Sequence, residues 1–170
     1  MMRFLQALLL GVALGSASCS WSTGLQLDPG RASIGAEIFA NDSLEPDLER
    51  AMHAELTRSL INLVEAPIAA PGVADVVIRG RIETYWRRAG IRNRDNRLLE
   101  SWVDISVSAT LWDRIEGKIR SGPVLDRIQV GYTLERTGSE AEAARRALKN
   151  LADRIVLELL TAPSPSEEAR

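Results

Sequence analysis

Residues 101–113 read SWVDISVSATLWD, and the apolar side chains Val103, Ile105, Val107, Ala109 and Leu111 fall on every second position. A period of two sends alternate side chains to opposite faces, so the stretch predicts a strand with one buried face. The other face carries Trp102, Asp104, Ser106, Ser108, Thr110 and Trp112. Such one-sided alternation is the mark of an antiparallel sheet with one face left uncovered.

Working outward, ADVVIRGRIETYWRR predicts a strand over about 75–88, and PVLDRIQVGYTL predicts another over 123–134 with Ile128, Val130 and Tyr132 together. Three strands joined by local connections form a meander. Upstream, ASIGAEIF (32–39) alternates Ala32, Ile34, Ala36 and Ile38 and predicts a further strand. Residues 47–63 place Leu48, Met52, Leu56, Leu60 and Leu63 at helical spacing, with Pro46 suited to the first helical position. A second helix is expected over 139–160, where Ala144, Leu148, Leu151, Ile155 and Leu159 share a stripe and Ser139 is the candidate N-cap. The order is βαβββα. Two one-sided helices cover one sheet face only, so the expected fold is α+β, a two-layer sandwich of a mostly antiparallel four-stranded sheet with both helices on one face. On strict alternation the open face also carries Arg79, Arg81, Glu83, Tyr85, Arg87, Arg127 and Gln129. Trp, Tyr and Arg are enriched at interface centres, so this face reads either as a docking surface or as a solvated sheet face with Trp102 and Trp112 at its rim.

A chain of 170 residues, 45% hydrophobic, is long enough to bury the core of one domain. Its 21 basic and 23 acidic residues nearly balance, so bulk charge does not point to nucleic acid and any electrostatic role is local. A single cysteine excludes an internal disulfide, and a single histidine, His53, leaves no obvious zinc site or Cys/His pair. No metal, cofactor or catalytic residue is expected. Asp104 and Asp113 fall on opposite faces of their strand and form no acid/base pair, and GRASIGAE (30–37) lacks the lysine of a phosphate-binding loop.

The N-terminus reads as targeting. Arg3, the apolar run from Phe4 to Leu14 and the small residues Gly15, Ser16, Ala17 and Ser18 form a secretory signal over 1–18. The run is too short to span a bilayer, which needs about 20 residues. Cys19, the chain's one cysteine, follows at once. Lipidation of Cys19 would tie the mature chain to a membrane through several acyl chains of the palmitate class, whereas ordinary cleavage would leave a free thiol. Residues 19–30 then read as a lipidated N-terminus and tether, 31–161 as the folded domain, and 162–170, ending PSPSEEAR, as a disordered tail.

The strongest local charge is RRAGIRNRDNR (87–97), with Arg87, Arg88, Arg92, Arg94 and Arg97 against Asp95. Arginine's planar fork matches phosphate or carboxylate, so the stretch is a candidate contact for a phosphorylated lipid head group or an acidic partner wall; otherwise it is a solvated hairpin loop. A nucleic-acid reading lacks interleaved aromatics.

The order of elements, the lipoprotein-type signal, the stretch IFANDSLEPDLERAMHAELTRSL (38–60), the ADVVIRGRIETYWRR strand and the closing EAARRALKNLADRIVLELL helix together resemble the LPS-assembly lipoprotein family, LptE-like. Its strand-to-helix phrase is met here by Ile38, Phe39, Asn41, Ser43, Glu45, Pro46, Leu48 and Glu49, while Ser16 stands where the lipobox usually has leucine. The resemblance implies a non-enzymatic outer-membrane lipoprotein on the periplasmic side that plugs a β-barrel of LptD type and binds LPS during its transport to the cell surface. Arg87, Arg88, Arg92, Arg94, Arg97, Trp102 and Trp112 are then the candidate contacts for LPS or the barrel. The alternative is another periplasmic lipoprotein on a similar module, such as an auxiliary component of an ABC transporter or an activator of a peptidoglycan synthase.

Overall fold

A computed structural model describes residues 24–27, 29–134 and 137–162. The expected signal, Cys19 and most of the C-terminal tail lie outside the described residues. The elements are β1 (Ile34–Ala36), β2 (Ala40–Asn41), α1 (Leu48–Leu63), β3 (Val76–Ala89), β4 (Glu100–Asp113), β5 (Lys118–Thr133) and α2 (Ser139–Thr161). The sheet runs β1-β3-β4-β5, with β2 beside β1 on the same edge of β3. β1 and β2 are parallel to β3, and the other pairings are antiparallel. The fold is α+β, with two helices and a mixed sheet among the described residues.

The expected first strand is two short ones, so the sheet has five strands rather than four. Ala36 pairs with Ile78 but Ala40 pairs with Arg81, four steps on one strand against three on the other. The extra residue flips the alternation. Ile38, expected inside, is 62% exposed, and Phe39 is buried in its place. Its ring lies over Gly80, where an added Cβ would stand 2.6 Å from the ring and 2.3 Å from the Ser108 carbonyl oxygen.

Asn41 closes the turn into α1. Its Nδ2 donates to the Glu45 carbonyl at 2.8 Å and to Glu49 Oε2 at 2.9 Å, while its Oδ1 accepts from the Ser43 amide at 3.1 Å. The helix begins at Leu48 after Asp47, which caps it at φ 62, so Pro46 precedes the helix rather than opening it. Ser139 likewise is the first residue of α2, and Gly138 is its N-cap.

The core forms where one face of the sheet meets both helices. From α1 come Leu48, Met52, Leu56 and Leu60, the i, i+4 row seen in the sequence, and from α2 come Ala143, Ala147, Leu148, Leu151, Ala152, Ile155, Val156 and Leu159. They pack on Ile34, Ile78, Ile82, Val103, Ile105, Val107 and Leu111. Ser59 of α1 bonds Asp153 of α2, and Arg154 of α2 pairs with Asp126 of β5 on this inner face.

A second irregularity lies in β3. Ile82 pairs with Val107, but Thr84 pairs with Ser106 and Tyr85 with Ile105, so Glu83 is an extra residue. Beyond it every side chain changes face. Tyr85 and Arg87 turn toward the helices, correcting the strict alternation that put them on the open face, and Trp86 and Arg88 take their places outside. β5 begins at Lys118, five residues before its expected start, and Gly122 (φ 96) and the cis Gly122-Pro123 bond lie within it at a break in register.

Candidate functional site

The open face is organised around Asp104. Register sets Arg88 and Gly131 on either side of Trp102, and Trp86 and Gln129 on either side of Asp104. The Asp104 side chain is fully buried although, among the described residues, no other element covers this face. Its cover is made of side chains. Arg127 donates from Nε to Oδ1 at 2.6 Å and from Nη2 to Oδ2, Gln129 Nε2 donates to Oδ2 at 3.0 Å, and Arg88 Nε donates to Oδ2 at 3.1 Å. These bonds, those from Arg127 foremost, outweigh burial and push the Asp104 carboxyl down to about 2. Each guanidinium has five N–H donors. Arg127 uses two of them on Asp104 and Arg88 one, and both side chains stand half exposed. Two fixed cations over one carboxylate leave a positive spot with N–H groups that have no partner among the described residues.

Aromatic surface adjoins it. Trp86 is 56% exposed. Trp102 is half-buried, with its Nε1 covered and unpartnered, and Gly90 makes room for it, since a Cβ there would stand 2.8 Å from its ring and 2.6 Å from the Glu100 carbonyl oxygen. Farther along, Glu83 accepts from Ser108 at 2.6 Å, and Arg79, held by Glu37 at 2.8 Å, stacks 4.8 Å above the Trp112 ring. Exposed Ile119 and Leu125 of β5 complete a face that is apolar at intervals and ion-paired between them.

The candidate arginines separate into three groups. Arg87 faces the helices: it donates to Glu140 Oε1 at 2.5 Å and to Glu45 Oε2 at 2.7 Å, which raises its pKa, and its guanidinium lies 5.2 Å from the Tyr85 ring. Tyr85 and Tyr132 donate to the same Glu140 at 3.1 and 3.3 Å, and burial raises both phenol pKa values. This cluster borders a cleft of 530 Å³ between the helix N-termini, lined by Leu48, Ala51, Ala144 and Leu148 among others. Arg88 lies on the open face with Trp102. Arg92, Arg94 and Arg97 sit on the β3–β4 hairpin tip, where Asn93 Oδ1 accepts from the Asp95 and Arg97 amides at 3.0 and 2.9 Å and Asn96 adopts φ 61. Arg92 donates to the Asn96 carbonyl at 2.9 Å, and among the described residues no carboxylate pairs with any of these three. Trp112 stands ten residues beyond Trp102, about 34 Å along the strand. The stretch 87–97 is therefore not one loop, since Arg87 and Arg88 belong to β3 and point to opposite sides.

Sequence reasoning placed Asp104, Arg127 and Gln129 on the open face but missed them as a unit, and it missed Trp86 altogether. Nothing local to ETYWRR reveals the bulge at Glu83.

Solved structures with the same fold include an uncharacterized lipoprotein B from Nitrosomonas europaea, 11% identical, with a TM-score of 0.57 over 83% of this chain and 89% of that one. A protein from Xanthomonas campestris is 10% identical, with a TM-score of 0.54 over 82% and 91% of the two chains. A hypothetical protein from Chlamydia trachomatis is also 10% identical, with a TM-score of 0.53 over 78% and 99%. No curated protein sequence matches the chain. The family model described as LptE, lipopolysaccharide-assembly, matches residues 32–159.

Proposed function

Because the chain belongs to the LptE lipopolysaccharide-assembly family, we propose that it is an outer-membrane lipoprotein, anchored through Cys19 on the periplasmic side, that serves as a non-catalytic subunit and plug of an LptD-type β-barrel. The observation that carries this reading is the family match, which runs from before β1 almost to the end of α2. The open face is compatible with it. A barrel lumen is polar, and a plug must present charge that needs little rearrangement on docking. Asp104 and Glu83 are already bonded by neighbours within the sheet and Arg79 by Glu37 of the β1–β2 connection, so covering them leaves few groups unpaired.

The proposed LPS contacts are Arg92, Arg94 and Arg97 at the hairpin tip, with Arg88 and Trp102 beside them. Among the described residues the three tip arginines keep their full donor sets for lipid phosphates, apart from the one Arg92 bond to Asn96. Arg87 supports the fold through Glu45 and Glu140, and Trp112 belongs to the part of the face that would meet the barrel wall.

The test is affinity purification of the tagged mature chain from detergent-solubilised outer membrane, with mass spectrometry of what accompanies it. A β-barrel protein and LPS are the expected companions. Recovery with an inner-membrane transporter or a peptidoglycan synthase, and without a barrel, would sink the proposal.

A further inference from the structure

One end of the domain holds the beginning of the described chain. The Leu25 amide donates to the Leu63 carbonyl at 2.7 Å and the Glu65 amide donates to the Leu25 carbonyl at 2.8 Å, so residues 24–27, within the stretch read as tether, are bound to the domain. Leu25 and Leu27 also pack against the core. Between Cys19 and Gly24 lie five residue steps, which span at most about 18 Å when fully extended. An acylated Cys19 therefore holds this end, and not the arginine hairpin, close to the bilayer.

The same end exposes apolar side chains. The α1–β3 connection and the turn between β4 and β5 meet there, where Asp113 pairs with Val76. Val73 stands 64% exposed in the first and Ile115 59% exposed in the second. Arg114 ties the two together: its Nε donates to the Ala74 carbonyl at 2.7 Å, its Nη2 to the Val73 carbonyl at 3.1 Å, and its amide to the Asp75 carbonyl at 2.9 Å. Charges at this end balance, with Arg31, Arg114, Lys118 and Arg120 against Glu65, Asp75, Asp113 and Glu116. Arg31 binds Asp113 at 2.6 Å and Glu116 at 2.7 Å, Lys118 binds Glu116 at 2.7 Å, and Arg120 adds to Asp113 at 3.3 Å. Attraction to anionic lipid is thus not what this end offers. It offers two branched aliphatic side chains at fixed turns, within reach of a lipid anchor.

We infer that, before the domain joins a barrel, this end rests on the membrane surface, with Val73 and Ile115 inserted at the headgroup and acyl boundary. The inference rests on the proposed lipidation of Cys19. Docking of this kind would orient the domain, directing the hairpin with Arg92, Arg94 and Arg97 away from the anchoring leaflet, about 45 Å along strands β3 and β4.

Acylation consumes the chain's one thiol, so Val73→Cys, Ile115→Cys and, at the opposite end, Asp95→Cys each supply a single labelling site. The full chain, purified from membranes and labelled with an environment-sensitive fluorophore, is placed in phosphatidylcholine and phosphatidylethanolamine vesicles without other protein. The N-terminal peptide mass is read from the same sample. Blue-shifted emission and loss of iodide quenching at 73 and 115, unchanged by salt, with neither effect at 95, is the expected result. An acylated chain whose labels at 73 and 115 are as open to iodide as the label at 95 overturns the docking while leaving the anchor intact. An unmodified Cys19 overturns the anchor, and the docking falls with it.

Discussion

Replacing Asp104 by asparagine keeps the shape of the open face and removes its buried charge. A carboxyl held at about 2 instead of its ordinary value near 3.9 contributes up to ~2.6 kcal/mol at neutral pH. Both arginines above it are half exposed, so water screens the pair, and a contribution of ~1–1.5 kcal/mol is the reasonable expectation. Because the folded-state pKa is depressed, this stability is fully present above about pH 5 and is lost as pH falls toward 2. The Asp104→Asn variant should therefore melt ~3–6 °C below the parent at pH 7. In urea titrations the gap between the two proteins should shrink steadily between pH 5 and pH 2, since all other carboxyls titrate alike in both. A gap of the same size at pH 7 and pH 2 would refute the charge argument and leave Asp104 a merely structural hydrogen-bond acceptor.

Gly80→Ala forces a Cβ against the Phe39 ring and the Ser108 carbonyl and should cost ~1–3 kcal/mol in chemical denaturation; an unchanged midpoint would mean that Phe39 does not pack there. Asn41→Ala removes the bonds that hold the β2–α1 turn and should cost ~1–2 kcal/mol, read by the same titration. Replacing Arg92, Arg94 and Arg97 together with serine should leave the melting temperature within about 1 °C while weakening LPS binding ~10-fold at low salt, with a smaller deficit at high salt. Equal binding by the variant and the parent would return the hairpin tip to an ordinary solvated turn.

The two bulges divide what was legible from what was not. Leu48, Met52, Leu56 and Leu60 announce their helix face because the 3.6-residue period is a property of one segment. Val103 to Leu111 announce theirs because β4, in the middle of the sheet, keeps an unbroken inward alternation. The phase of β3 is different in kind. Whether Tyr85 or Trp86 faces the helices depends on how many residues the strand spends between two contacts with β4, and pairing energy across the ladder decides that number. The one extra residue moves Arg87 to the helix side, into the hands of Glu45 and Glu140, and leaves Arg88 over Asp104.

The amino-acid sequence by itself determined the order of the two helices and the three long strands, the helix faces, the one-covered-face architecture and the placing of the tip arginines between two strands, because each follows from periodicity or local composition. Only the tertiary structure decided which arginines are free. Asp104 reads in the sequence as one more polar residue on a solvated face, yet it is sealed by Arg88, 16 residues before it, and Arg127, 23 residues after it. Those three meet because β3, β4 and β5 lie side by side, and a contact across two ladders leaves no trace in the period of any one strand.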